Sequence, residues 1–360
     1  MHGILNWKKL NVKKLLKIKA FGGHSNIWGG SSLKLYKNEF NTWPLYYSEI
    51  IKYYKICEKI LNIKSEDIKF IKKNNESLYF EESKIALNKK KEIFNSKEII
   101  LSLIKRKKIY LFRGDVRKII NKNNKKKIIF NKSKEYFLCD KIYIGAGPYN
   151  TQKILKNSLN EKKFYPVLQS QSFFAPVLFF TKQKDYQCLI YKKFSNNENL
   201  HLEFKKSNLL HETLKNKYYF LSLFIPRILY KNIYIITGFI PSTYSPNINK
   251  SLNVDKIRQD KIKKKILDVF KFLQKELKIV ILNYFIRFTN FGRSFHIGAN
   301  IPMTEKPNSN YYTTDKQGIL RSRLIKNIYV IDSSVFPSIP SGTLGITSMA
   351  NAYRIASESN

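Results

Sequence analysis

Apolar residues recur at helical spacing over residues 47–63, where Ile50, Tyr54, Cys57 and Leu61 share one side and Ser48 can cap the start. A longer helix is expected over 254–277, with Ile262, Ile266, Phe270, Leu273 and Leu277 lining one face. Strand patterns at 109–120 and 128–130 flank the turn NKNNKKK. A further strand at 140–144 runs straight into GAGPYNTQKILKNS, the pattern of a strand, a tight glycine turn and a helix. Between about 159 and 289 the chain offers aromatic-rich strand candidates such as FFAPVLFF, HLEFKK and NIYIITGFI. Residues 327–337 read as a buried strand, IYVI, ending in Asp332, Ser333 and Ser334, and 341–354 as a helix with Met349, Ala352 and Ile355 packed inward. The alternation is that of a mixed α/β architecture.

At 360 residues, with 43% hydrophobic and 14% aromatic residues, the chain has room for one large or two ordinary domains with their own cores. No apolar run approaches the roughly 18 residues of a membrane span, the longest being of the kind YYFLSLFI at 218–225. Cys57, Cys139 and Cys188 show neither CxxC nor paired spacing, so no disulfide framework or zinc site is suggested, and a reducing, cytoplasmic setting fits. The opening MHGILNWKKLNVKKLLKIKA is basic but has no apolar core or small-residue cleavage site of a signal peptide. The formal net charge of +40 would on its own suggest nucleic acid or an anionic surface as partner. The lysines are spread over the whole chain, however, alongside many Asn, Ile, Tyr and Phe, all encoded by AT-rich codons. The runs at 125–127 and 263–265 fall in a turn and on the polar side of a helix. A solvated surface is the reading adopted, and nucleic acid is not expected as a partner.

Two glycine-punctuated blocks stand out. The first, FGGHSNIWGG, places Gly22, Gly23, Ser25, Asn26, Trp28, Gly29 and Gly30 together. Paired glycines let backbone amides approach an anion or a ring, and Ser and Asn add short hydrogen-bonding arms. The second, SFHIGANIPM at 294–303, carries His296, one of five histidines in the chain. GAGPYN supplies Gly145 and Gly147, but Asn150 stands where the third glycine of G-x-G-x-x-G belongs and no acidic residue follows at the expected distance, so it is not read as a dinucleotide motif. His201 and His211 are read as a strand residue and a surface residue.

Followed by NIYVIDSSVFP and SMANAYRIA, and with EFNTWPLYYSEIIKYYKICEKIL between them, these blocks resemble the C-terminal two thirds of the glucose-methanol-choline oxidoreductases, a flavin enzyme family. The resemblance implies oxidation of the CH–OH group of an alcohol or sugar, with hydride passing to the N5 of FAD. A base must then stand within reach of the hydroxyl, and neutral imidazole, with an ordinary pKa of about 6.5, suits the task. His296 opens HIGANIPM, similar to the family's H-x-x-G-T-x-x-M with Ala299 in place of the glycine and Asn300 in place of the threonine. The residue facing the base from the last helix falls at or near Thr343, which can hydrogen-bond but cannot act as a base. Some relatives bind flavin covalently through a histidine in the glycine loop. Here that position is Ile27, which implies noncovalent FAD. YIGAGPYNTQKIL resembles the family's AAG-x-x-x-T-x-x-LL wall near the adenosine. The resemblance thus implies cofactor contacts from Gly22, Gly23, Ser25, Asn26, Trp28, Gly29, Gly30, Val116, Ala146, Gly147, Asp332 and Ser333. No metal is implied.

The family's opening βαβ unit needs about 30 residues or more and carries G-x-G-x-x-G; neither stands ahead of Gly22. The expectation is therefore an α/β protein with an incomplete FAD-binding Rossmann-like domain whose first βαβ is missing. Residues 1–158 would be the remnant of that domain, 159–289 an inserted antiparallel-sheet α+β substrate domain, and 290–360 the return to the FAD domain with the catalytic histidine. A mis-called start or frameshift, a separate polypeptide supplying the missing segment, and a decaying gene all remain open, and the chain as given could be inactive. The competing expectation is a non-catalytic basic binding protein on a degenerate flavoenzyme scaffold.

Overall fold

The structure is a computed structural model and describes residues 21, 23–26, 28–63, 69–73, 76–82, 85–88, 90–160, 163–180, 187–191, 199–206, 232–245, 256–289, 295–320 and 327–359. Gly22, Ile27, His211, the basic opening segment and the run at 218–225 lie outside them.

Helix α1, Tyr47–Ile60, follows the expected stripe, burying Ile50, Tyr54 and Cys57. Its start differs from expectation. The Glu49 carboxylate accepts the Tyr46 backbone N–H at 2.8 Å, so the cap lies at Tyr46 and Ser48 is inside the helix. Next come β1, Lys69–Lys73, and β2, Glu76–Glu82, a hairpin that sequence patterning did not reveal. Helix α2, Ser96–Lys105, was also unforeseen and has no fully buried residue.

Strands β3 (Val116–Lys122), β4 (Lys125–Phe130) and β5 (Tyr136–Cys139) form a three-stranded antiparallel sheet. The strand expected at 109–120 begins only at Val116. The 125–127 lysines lie in β4 rather than in the turn, which is Asn123 and Asn124, both in the left-handed region. Lys126 is buried and donates to Asn121 Oδ1 at 2.6 Å.

Strand β6, Ile142–Ile144, leads through the glycine turn into α3, Pro148–Leu159. In the central layer β6 pairs in parallel with a late strand, Ile328–Val330. The last helix, Gly345–Glu358, follows that strand.

Between them lies the larger sheet. After β7 (Leu168–Gln169) come β8 (Gln171–Phe179), β9 (Gln187–Tyr191), β10 (Leu200–Lys206) and β11 (Ile233–Ile240). Helix α4, Lys256–Leu277, precedes β12 (Ile279–Ile281) and β13 (Arg287–Phe288). The antiparallel order is β1-β2-β9-β10-β11-β8-β12, with β13 on β8. The sheet therefore takes two strands from the span assigned by sequence to the first domain.

Strand alternation explains its two faces. Phe173, Ala175 and Val177 of β8, Leu202 and Phe204 of β10, and Ile236 of β11 pack against Ile262, Ile266, Phe270 and Leu273 of α4. That stripe is the one read from the sequence. Each of these side chains larger than alanine, fully buried, contributes roughly 1.5–3 kcal/mol. The opposite face carries Glu203, which meets Ser31, and Phe239, which meets His296. The remaining elements are β14 (Ile297–Gly298), β15 (Ile328–Val330) and the final helix, α5 (Gly345–Glu358).

Along α5 the buried residues are Ile346, Thr347, Ala350, Asn351, Arg354 and Ile355; Ile355 is buried as expected, Met349 packs partly buried against the core, and Ala352 is half-buried. Arg354 is the unexpected member of the buried set. Its guanidinium, 1% exposed, donates to Asn351 Oδ1, to the Lys316 carbonyl and to Glu358. Among the described residues no helix is long and apolar enough to cross a membrane.

Candidate active site

Strand β14 pairs with β7, and the His296 carbonyl accepts the Ser170 N–H at 2.9 Å, which pins the backbone of the histidine to the strand entering β8. Beyond His296 the chain runs beside the turn after β15. Ala299 N–H donates to Ser333 O, Ile301 N–H to Ser334 O and Met303 N–H to Val335 O, at 2.8–2.9 Å. The Ser333 hydroxyl adds a bond to Ile297 O at 2.7 Å. Asp332, next in line, is half-buried and accepts from Gly147 N–H at 2.9 Å, Thr151 Oγ1 at 2.5 Å and Ser334 N–H at 2.9 Å. Burial pushes its carboxyl above the usual carboxylate range, and the Ser334 and Thr151 hydrogen bonds only partly oppose this. The residues His296, Ser333, Asp332 and Gly147, distant in sequence, thus form one continuous seam at the strand ends.

The glycine loop reaches the same region from the other side. Thr343 Oγ1 accepts Leu33 N–H at 3.1 Å and lies 3.3 Å from Leu33 O, so its hydroxyl ties the chain leaving the loop to the segment entering α5. Trp28 donates its indole N–H to Phe94 O at 2.7 Å and packs on Gly345, where a Cβ would meet its ring at 2.8 Å. Ser31 Oγ donates to Glu203 Oε1 on β10 at 2.9 Å. Glu203 shares its strand face with His201, which meets the edge of Phe239; Phe239 in turn stacks on His296 at 4.7 Å and 26°. The loop and the imidazole of His296 therefore lean on the same face of the large sheet.

Other candidates have local duties. Ser25 Oγ accepts Ser96 N–H at 3.1 Å, and Asn26 Oδ1 accepts from Asn95 at 2.6 Å, so both side chains brace the start of α2. Gly23 adopts φ +54 in a short 3-10 turn. Val116 stays on the three-stranded sheet, which is bonded to α3 through Ile119 N–H and Ser158 Oγ at 2.8 Å. Ala146 is exposed ahead of α3.

The glycines divide by cause. Gly30, at φ +73, is hemmed in by Ile85 and Ile93, and Gly298 by Ser333; the fold itself requires these. A Cβ at Gly29 or Gly147 would meet nothing within 4 Å. Bare backbone there borders open space, which suits a flat ring or a diphosphate laid against it. The site residues thus fit FAD on backbone grounds, although Gly147 N–H is already committed to Asp332. A cleft of about 680 Å³, with Trp43, Tyr165, Leu168, Ala299, Met303 and Glu305 in its walls, opens three residues along the chain from His296. His201 and Glu203 are the site neighbours that sequence reasoning missed, because only the pairing of β10 with β11 brings them beside Phe239.

No protein-family model matches the sequence, and no protein of curated function matches it. Solved structures do. An FAD-dependent oxidoreductase from Chaetomium thermophilum superposes with a TM-score of 0.55 at 12% identity, over 93% of this chain and 85% of that one. Pyridoxine 4-oxidase from Mesorbium loti gives a TM-score of 0.49 at 11% identity, over 86% of this chain and 69% of that one. The chain thus shares with the Chaetomium thermophilum protein a mixed α/β fold with antiparallel sheets.

Proposed function

We propose that the protein is an FAD-dependent oxidoreductase that oxidises the CH–OH group of an alcohol or sugar, with FAD held noncovalently and His296 as the base. The observation that carries this reading is the shared sheet face, on which the glycine loop, through Ser31 and Glu203, and His296, through Phe239, are brought together in a fold of the flavin-oxidoreductase type. Gly29, Gly147 and the segment of Asp332 and Ser333 would border the cofactor, which supplies the hydride acceptor when bound. His296 would take the hydroxyl proton, its backbone held by Ser170 and its ring plane by Phe239. Thr343 serves by fixing the loop against α5.

The test is titration of the purified full chain with FAD, followed by flavin fluorescence and the visible spectrum. Saturable quenching with a perturbed flavin band is expected, and an unperturbed spectrum at saturating FAD would remove the reading.

A further inference from the structure

The sheet face that meets His296 holds a second imidazole. His201 and Glu203 of β10 are 2% and 3% exposed. His201 Nε2 and Glu203 Oε1 are 3.2 Å apart, and the same carboxylate oxygen accepts from Ser31 Oγ at 2.9 Å. An acidic side chain at this depth is costly to a sheet unless donors meet it, and an apolar residue would serve packing alone better. This one joins two parts of the molecule. On one side it holds the residue that follows Gly29 and Gly30. On the other it holds an imidazole whose ring contacts Phe239 edge to face, with centroids 5.7 Å apart at 65°. Phe239 lies opposite His201 in the β10–β11 register and also stacks on His296.

Resting on the reading of His296 as the base, we propose that Glu203 and His201 are positioning residues that set both halves of the site from one buried carboxylate. Glu203 fixes the His201 ring, and His201 fixes the plane of Phe239. Phe239 then fixes the plane of His296, because offset and edge-to-face aromatic contacts are orientation-dependent. The bond from Ser31 to the same oxygen holds the glycine loop in register with that imidazole. No proton passes along this line, since the phenyl ring interrupts it; the coupling is one of orientation. Sites of this kind need their groups held to within about 0.5 Å, which loops do not achieve without such support.

The experiment uses the full chain labelled with 13C-histidine, with the His296 imidazole signals assigned by His296→Ala. Stacked on Phe239, the His296 ring protons are shielded and resonate upfield. In Glu203→Leu they are expected to move toward the position of a solvent-exposed histidine while circular dichroism stays native. His201→Leu should give the same movement. Glu203→Gln, which keeps an Oε1 acceptor, should leave the signals in place. If Glu203→Leu does not fold, His201→Leu decides, because it leaves the Ser31 bond standing. Unmoved His296 signals in the folded leucine variants would overturn the proposal, and so would an equal movement in Glu203→Gln. None of these spectra needs cofactor, so they stand whether or not the chain binds FAD.

Discussion

Gly298 lies so close against Ser333 that a Cβ on it would stand 2.2 Å from the Ser333 carbonyl oxygen. The contact comes from the hydrogen-bonded seam between the His296 segment and the turn after β15, where Ala299 N–H reaches that same oxygen at 2.9 Å. Backbone cannot yield as a flexible side chain can. Gly298→Ala is therefore expected to cost about 3 kcal/mol of stability through forced overpacking. Denaturant unfolding would measure it, and a cost under a third of that would mean that the seam is looser than these distances imply.

Ala299, the next residue, presents the opposite case. It adopts φ +58, a left-handed conformation that costs a residue with a Cβ roughly 1–2 kcal/mol. Ala299→Gly removes that strain and keeps the N–H bond to Ser333, at the price of extra unfolded-state entropy. The net expectation is a gain of about 0.5–1 kcal/mol, read as a raised Tm. A lowered Tm would show that the methyl group packs usefully in the cleft wall.

These neighbours also show what the sequence could and could not reveal. At 299, where the resemblance expects a glycine, the alanine holds a left-handed turn of the kind that favours glycine. The α4 stripe of Ile262, Ile266 and Phe270 was legible because a periodic apolar face states its own burial. The burial of Arg354 in α5 was not, because a guanidinium satisfied by Asn351 and the Lys316 carbonyl cannot be told from a surface arginine by polarity. Nor was the Glu203–Ser31 bond, which joins residues 172 apart in sequence through strand pairing that no local pattern encodes. The β1–β2 hairpin escaped for the same reason, since its place in the sheet depends on β9.

Asp332 makes a prediction in pH. Burial raises its carboxyl above the ordinary value, so between the unfolded and folded pKa values the native state binds more protons than the unfolded chain. The stability this group contributes is fully present below its unfolded pKa and is lost as pH rises through its folded pKa. Asp332→Ala, which also removes the bonds to Gly147 and Thr151, should therefore be most damaging in mildly acidic buffer and less so toward alkaline pH. Paired unfolding curves across that range check the sign. A penalty that grows with pH would mean that the three hydrogen bonds outweigh desolvation and that the carboxylate is held ionised.

His296→Ala separates the fold from the chemistry proposed for it. The backbone of the histidine is anchored by Ser170, and the residues beyond it by Ser333, Ser334 and Val335, all through main-chain groups that the substitution leaves in place. The side chain is half-buried and its ring stacks on Phe239, so its removal should cost little stability. FAD affinity should also hold, because the bare backbone offered at Gly29 and Gly147 comes from other segments. If the imidazole takes the hydroxyl proton of the substrate, turnover should fall by about 10²-fold or more. The assay is reduction of an artificial electron acceptor across a panel of alcohols and sugars, run alongside an FAD titration. Loss of turnover with FAD affinity retained fits a base, joint loss of both points to a structural role, and unchanged turnover shifts the search for the base to another group along the same sheet face.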